Sequence, residues 1–152
     1  MKKISSFKVD HTKLKKGIYL SRYDYSIKTE EIIATTFDIR MKLPNRETPL
    51  KSEVAHTIEH LGASFLRNNE KIQNQVIYWG PMGCLTGFYG IFQGQWELEK
   101  VIPYIKEIYF FIKNFTGEIP GATLEECGNY VFHNLREAKK EADIFYPLIA
   151  KV

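Results

Sequence analysis

The sequence has only two cysteines, Cys84 and Cys127, in 152 residues. That excludes a disulfide-dense scaffold and fits thiols kept reduced in a cytoplasm. No stretch of about 18 uncharged apolar residues occurs, so no membrane-spanning helix and no membrane partner are expected. The basic residues of the opening segment Met1 to Lys8 are followed by no apolar run. No secretory leader is therefore read there, and a cytoplasmic location is expected. An excess of one charge is lacking too, since 21 basic against 18 acidic residues leave +3. This falls short of the basic footprint of a nucleic-acid-binding domain, and no nucleic-acid partner is expected. Internal repeats and low-complexity segments are absent. What remains is ordinary for a globular chain: 44% apolar and 26% charged residues. At this length the chain reads as a single domain, residues 1–152, large enough to bury about 68–70% of its unfolded surface without disulfide support.

Strands are expected at residues 4–10, at 17–27 and from Glu31 to Arg40, where β-branched and aromatic residues dominate. The Leu43 to Pro49 segment breaks the pattern into a loop. A helix then follows Ser52 as N-cap, with Val54, Ile58, Leu61 and Phe65 drawing one apolar stripe, and fades near Asn68-Asn69. Two further strands are read from Gln75 to Trp79 and from Thr86 to Phe92. A helix is read from about Trp96 to Asn114, kinked or delayed by Pro103. A last helix follows Asn134, with Glu137 in a capping position and Pro147 closing it. This order predicts an α+β domain, an antiparallel sheet covered by helices.

The pentapeptide His56-Thr57-Ile58-Glu59-His60 carries the most chemistry. On a helix His56 and His60 lie about 40° apart, and Glu59 about 60° from His56. This group lies roughly opposite the apolar stripe, so two imidazoles converge on one side while the helix packs on the other. H-x-x-E-H is a metal-binding arrangement with Glu as general base. A catalytic zinc usually takes three protein ligands and leaves one position open. Candidates for the third are Cys84, Cys127, His11 and His133, and the spacing does not choose between the cysteines. Two neutral imidazoles and one thiolate form a chemically reasonable set for zinc or ferrous iron. Cys84 stands in Met82-Gly83-Cys84-Leu85-Thr86-Gly87, a turn where substrate can approach the backbone and where a cation would lower the thiol pKa. Arg40, ending a strand, and Arg67, extending the histidine face, are candidates for binding a carboxylate.

Taken together, these residues resemble the S-ribosylhomocysteine lyase (LuxS) family. The matching segments are Ser6-Phe7 with Asp10-His11, Phe37-Asp38-Ile39-Arg40, His56-Thr57-Ile58-Glu59-His60-Leu61, Pro81-Met82-Gly83-Cys84 with Thr86-Gly87-Phe88-Tyr89, and Cys127-Gly128 with His133 and Leu135. They run in the family's order over almost the whole chain. The resemblance implies His56, His60 and Cys127 as ligands of one divalent metal per subunit, with Fe2+ in cells and Zn2+ or Co2+ as replacements. It implies Glu59 and Cys84 as the acid–base pair, and Ser6, His11, Arg40 and Arg67 as the lining of the substrate pocket. It further implies a homodimer with active sites at the subunit interface. The reaction implied is cleavage of the thioether of S-ribosylhomocysteine to homocysteine and dihydroxypentanedione, the autoinducer-2 precursor, by carbonyl migration and β-elimination. Such an enzyme serves the methyl cycle and quorum sensing. The chain departs from the family pattern at Gly62, Tyr78, Gly80 and Leu85, which raises the alternative of a divergent member with an altered substrate. An H-x-x-E-H metallopeptidase and a non-catalytic binding descendant are the other readings, separated from the lyase by peptide cleavage and by the absence of thiol release.

Overall fold

The computed structural model describes residue 2 and residues 9–152. Most of the strand expected at 4–10, and Ser6 with it, lies outside the described residues; Val9 and Asp10 are not in a strand. The β-branched runs form β1 (Gly17–Tyr25), β2 (Ile32–Arg40), β3 (Val76–Pro81) and β4 (Gly87–Gln93). The helical periods form α1 (Ser52–Arg67), α2 (Leu98–Asn114) and α3 (Leu135–Ile149). All neighbouring strands pair antiparallel, in the order β1-β2-β4-β3. Among the described residues the fold is α+β, a four-stranded antiparallel sheet with helices packed on one face.

Alternation along the strands divides the sheet chemically. Phe37 and Ile39 of β2 and Phe88 and Phe92 of β4 are fully buried, in one cluster with Ile58 and Leu61 of α1, Ile105 and Ile108 of α2 and Phe145 of α3. The intervening residues of β2, Asp38 and Arg40, belong to the opposite side of the sheet. Gly87 pairs with Arg40 across β2 and β4. A Cβ there would run into the Ile39 carbonyl oxygen and the Arg40 Cα, so the two strands approach this closely only because residue 87 has no side chain.

Helix ends depart from the sequence expectation in two places. The N-cap of α1 is Lys51, without a side-chain cap, and Ser52 is already helical. The Leu50 N–H donates to the Leu85 carbonyl at 2.8 Å, which holds the chain extended up to Lys51 and ties the start of α1 to the turn carrying Cys84. Pro147 does not close α3, which continues to Ile149, and Pro103 likewise lies inside α2 rather than moving its start. Both prolines are exposed, as are Glu99 and Asp143, whose carbonyls lose a helical partner; water can satisfy those groups. At α3 the Asn134 side chain caps as expected, accepting from the Glu137 N–H at 3.1 Å.

Where the departures Gly62 and Gly80 fall, aromatic groups occupy the space. The Trp79 indole lies against Gly62 and donates to the Ile58 carbonyl at 3.3 Å, while the Tyr78 hydroxyl lies over Gly80. Gly87→Ala is expected to destabilise the protein by about 2 kcal/mol, since β2 and β4 must part to admit the methyl group. Chemical denaturation read by circular dichroism tests this, and an unchanged midpoint would contradict the close approach.

Candidate metal centre and active site

α1 presents His56 and His60 on the side away from the sheet, and the chain itself returns to cover them. The segment joining α2 to α3 crosses this helix face and makes three kinds of contact there. Its Phe132 carbonyl accepts from His56 Nδ1–H at 2.8 Å, and its Pro120 carbonyl accepts from His60 Nδ1–H at 2.8 Å. Each bond fixes a tautomer and leaves the Nε2 lone pair free to ligate. Gly121, in the left-handed conformation at φ 70°, carries the chain past His60; a Cβ there would stand 3.4 Å from the ring.

The third contact is Cys127. Its Sγ lies 3.5 Å from His56 Nε2 and 3.8 Å from His60 Nε2. Bonds of about 2.0–2.1 Å to nitrogen and 2.3 Å to sulfur set tetrahedral donors about 3.6 Å apart, so the three atoms fit one ion. The Asn129 N–H points at the same sulfur from 3.4 Å, a further stabilisation of a thiolate. His133 completes the cluster: donor atoms of His56, His60, Cys127 and His133 all lie within 4.8 Å of one another. This is a site for a single divalent metal. Of the two cysteines, the structure brings Cys127, not Cys84, to the histidines.

His133 was only one of several candidates in the sequence, and Thr57 was not one at all. The Thr57 hydroxyl donates to the Glu53 carbonyl at 2.8 Å and accepts from the Asn134 N–H at 2.9 Å. It also meets His133 Nδ1 at 3.3 Å. Burial, then the charges that His56 and His60 would carry, push the His133 imidazole down to about 4, so it is neutral at physiological pH.

Glu59 stands half-buried on the same helix. On β3, burial, then the Glu59 charge, raises the Tyr78 phenol above its ordinary value. Arg67 lies at the end of α1, where its guanidinium donates to the Val76 and Ile77 carbonyls at 3.3 and 3.2 Å.

A second group of residues gathers around the β3–β4 turn. Cys84 sits in the β3–β4 turn, next to Leu85 at φ 55°, a strained value for a non-glycine residue. A cavity of about 330 Å³ joins its sulfur to His11, Glu47, Pro49 and Thr86. Arg40 is 3% exposed and engages Asp38 through both Nε and Nη2, so the carboxylate it grips is one from its own strand. Its Nη1 donates to the Thr86 hydroxyl and approaches Cys84 Sγ at 3.9 Å. The Thr86 hydroxyl and Cys84 Sγ share a hydrogen bond at 3.0 Å, in which the hydroxyl is the donor whenever the sulfur is a thiolate. Burial opposes charge on that sulfur, but Thr86 and Arg40 outweigh it, and the Cys84 thiol titrates below its ordinary value. Among the described residues, no hydrogen bond joins this group to Glu59 or to the four residues of the metal cluster. Ser6 lies outside the described residues.

Comparison with known proteins agrees with this arrangement. Residues 4–150 match the family S-Ribosylhomocysteinase (LuxS). The chain belongs to this family. An S-ribosylhomocysteine lyase of Desulfotalea psychrophila is 48% identical over 146 residues, 96% of this chain and 90% of that protein. Another, of Porphyromonas gingivalis, is 50% identical over 94% of this chain and 88% of its own length. A third, of Finegoldia magna, is 52% identical over 91% of this chain and 86% of its own length. The matched region contains both groups of side chains, the metal cluster and the Cys84 group.

Cys84 should therefore alkylate as a low-pKa thiol. In the metal-loaded protein its iodoacetamide rate should fall as pH drops through a midpoint below the ordinary thiol value of about 8.5. Thr86→Val should move that midpoint upward. Peptide mapping by mass spectrometry reports the site; a midpoint at the ordinary value, unmoved by Thr86→Val, would contradict the hydrogen-bonded thiolate.

Proposed function

We propose that this protein is a metal-dependent carbon–sulfur lyase that cleaves the thioether of S-ribosylhomocysteine, giving homocysteine and dihydroxypentanedione. The convergence of His56, His60 and Cys127 beside Glu59, in a chain of the LuxS family, carries this reading. The whole chain acts as one lyase domain. His56, His60 and Cys127 hold the ion. Two imidazoles and a thiolate suit iron(II), cobalt(II) and zinc alike; we assign iron(II) in the cell, with zinc or cobalt as replacements. The setting is the cytoplasm, where both thiols stay reduced.

When bound, the ion supplies Lewis acidity toward the carbonyl and hydroxyl oxygens of the open-chain sugar. Cys84 and Glu59 are the acid–base pair. The Cys84 thiolate, held ready by Thr86 and Arg40, removes a proton from the carbon beside the carbonyl, and Glu59 handles the proton on oxygen. Repeated once, this walks the carbonyl two carbons along the chain. With the carbonyl then β to the carbon–sulfur bond, loss of the intervening carbon's proton expels the homocysteine thiolate, and the remaining enol becomes the dione. No redox change occurs. Ser6, His11, Arg40 and Arg67 line the pocket, Arg40 acting through Cys84. The Tyr78 hydroxyl can accept from the substrate's amine.

In one chain Glu59 and Cys84 belong to separate groups, which supports a homodimer whose active sites combine Glu59 and the metal of one subunit with Cys84 of the other. The residues around the metal cluster fit a covered surface: Leu124 and Val131 are 71% and 72% exposed, beside the exposed Tyr130 and Phe132. Thiol release from S-ribosylhomocysteine tests both claims. The iron-loaded protein should release thiol, and Glu59→Gln and Cys84→Ala should each abolish it while retaining metal. Dissociated and reassociated as an equal mixture, the two variants should recover about a quarter of wild-type activity, because one site in each mixed dimer is intact. No recovery would place the acid–base pair within one subunit; no thiol release by the wild type would remove the lyase reading.

A further inference from the structure

His133 is held differently from the other two histidines of the cluster. His56 and His60 give their Nδ1 protons to backbone carbonyls, whereas His133 Nδ1 meets a hydroxyl. That hydroxyl has no proton to spare: Thr57 Oγ1 already donates to the Glu53 carbonyl and also accepts from the Asn134 N–H. A threonine hydroxyl has one proton and two lone pairs, so only a lone pair remains for His133. His133 Nδ1–H is therefore the donor, and Nε2 carries a bare lone pair. That Nε2 is shielded from solvent and has no hydrogen-bond partner among the described residues. Nδ1 is turned to the fully buried Thr57.

The ring geometry decides what this lone pair can meet. The His133 and His56 rings stack, with centroids 4.1 Å apart and planes 14° from parallel, and His133 lies edge-on to His60 at 4.7 Å. An imidazole nitrogen ligates in the plane of its ring. An ion in the His56 plane, about 2.0–2.1 Å from Nε2, would stand out of the His133 plane by roughly the stacking contact of about 3.5 Å. Coordination by both rings would require the stack to come apart. A hydroxyl that donates to Nε2 leaves the stack in place and needs only the groups that now shield Nε2 to give way as it enters.

We propose that His133 Nε2 accepts a hydrogen bond from a hydroxyl of the sugar substrate as it enters the cluster, and that His133 is a substrate-binding residue rather than a fourth metal ligand. The inference rests on the lyase reading above. An orphaned acceptor next to the metal ligands selects a polyol over an aldehyde or ketone without a neighbouring hydroxyl, because a substrate lacking that proton would leave a buried acceptor unpaired.

The test uses the cobalt-loaded Cys84→Ala protein, which is expected to bind S-ribosylhomocysteine without turning it over, and follows the visible absorption of cobalt during titration. Two further variants are made in that background. His133→Phe keeps a flat ring over His56 but removes the nitrogen; His133→Gln supplies an amide oxygen near the position of Nε2. All three proteins should bind one cobalt with the same substrate-free spectrum. The dissociation constant should rise about tenfold with Phe, the loss of one hydrogen bond to a shielded acceptor, and return toward the parent value with Gln. Loss of cobalt or a changed substrate-free spectrum in the Phe variant would make His133 a ligand and overturn the proposal. Equal affinities, or a weakening that Gln does not repair, would reduce the ring to packing and overturn it as well. Thiol release by the protein with Cys84 intact is measured alongside. If it is absent together with substrate binding, the lyase reading falls and this proposal with it; if it is present while the affinities are equal, only the role of His133 falls.

Discussion

Two backbone carbonyls hold the centre of this protein together. Phe132 and Pro120 each take the Nδ1 proton of a histidine on α1, and so turn two Nε2 lone pairs toward one point. Each such hydrogen bond contributes only about 1 kcal/mol to folding, but without them the imidazoles could rotate or take the other tautomer. The same segment supplies Cys127 Sγ. One crossing of the chain over one helix face therefore provides the orienting groups and the third donor together. Metal binding and the packing of the α2–α3 connection are consequently linked, since an ion that ties Cys127 to α1 also ties down the segment that orients its ligands.

The second group obeys the opposite logic. Around Cys84 the structure controls a charge rather than a position in a coordination sphere. Arg40 reaches a fully enclosed place in the sheet because Asp38, two residues away on the same face, neutralises it. A buried guanidinium without that partner would be costly. Through Thr86 and directly, the positive end of this pair acts on the sulfur. Gly87 makes the arrangement possible by letting β4 lie close against the Ile39–Arg40 backbone. Sheet register thus feeds into the state of the thiol, and the two groups differ in kind: one gathers metal-type donors and the other favours a negative charge on sulfur.

Much of this was legible in the sequence, and what was not has identifiable physical causes. Among the described residues, the four strands from Gly17 onward, the three helices and the antiparallel α+β arrangement follow from β-branched runs and helical periods. The HTIEH pentapeptide placed two imidazoles and a carboxylate on one helix side by spacing alone. Spacing did not choose between Cys84 and Cys127, because Cys127 lies on an irregular segment with no period to read; there the family resemblance supplied the assignment. The burial of Arg40 left a signal that was passed over, since Asp38 and Arg40 share a face of β2 by alternation. The special state of His133 left none, because it depends on a hydroxyl of α1 whose own bonds are visible only in three dimensions. Ser52 and Pro147 were misread for a similar reason: a long-range bond from Leu50 to Leu85 set the start of α1, and exposure of Pro147 allowed α3 to run past it.

The central claim is that two α1 imidazoles and the Cys127 sulfur share one ion. X-ray absorption at the metal edge of the loaded, substrate-free protein tests it most directly. The account predicts a shell with one sulfur at about 2.3 Å and two imidazole nitrogens at about 2.0–2.1 Å. A shell of nitrogen and oxygen alone, or one with two sulfurs, would contradict it.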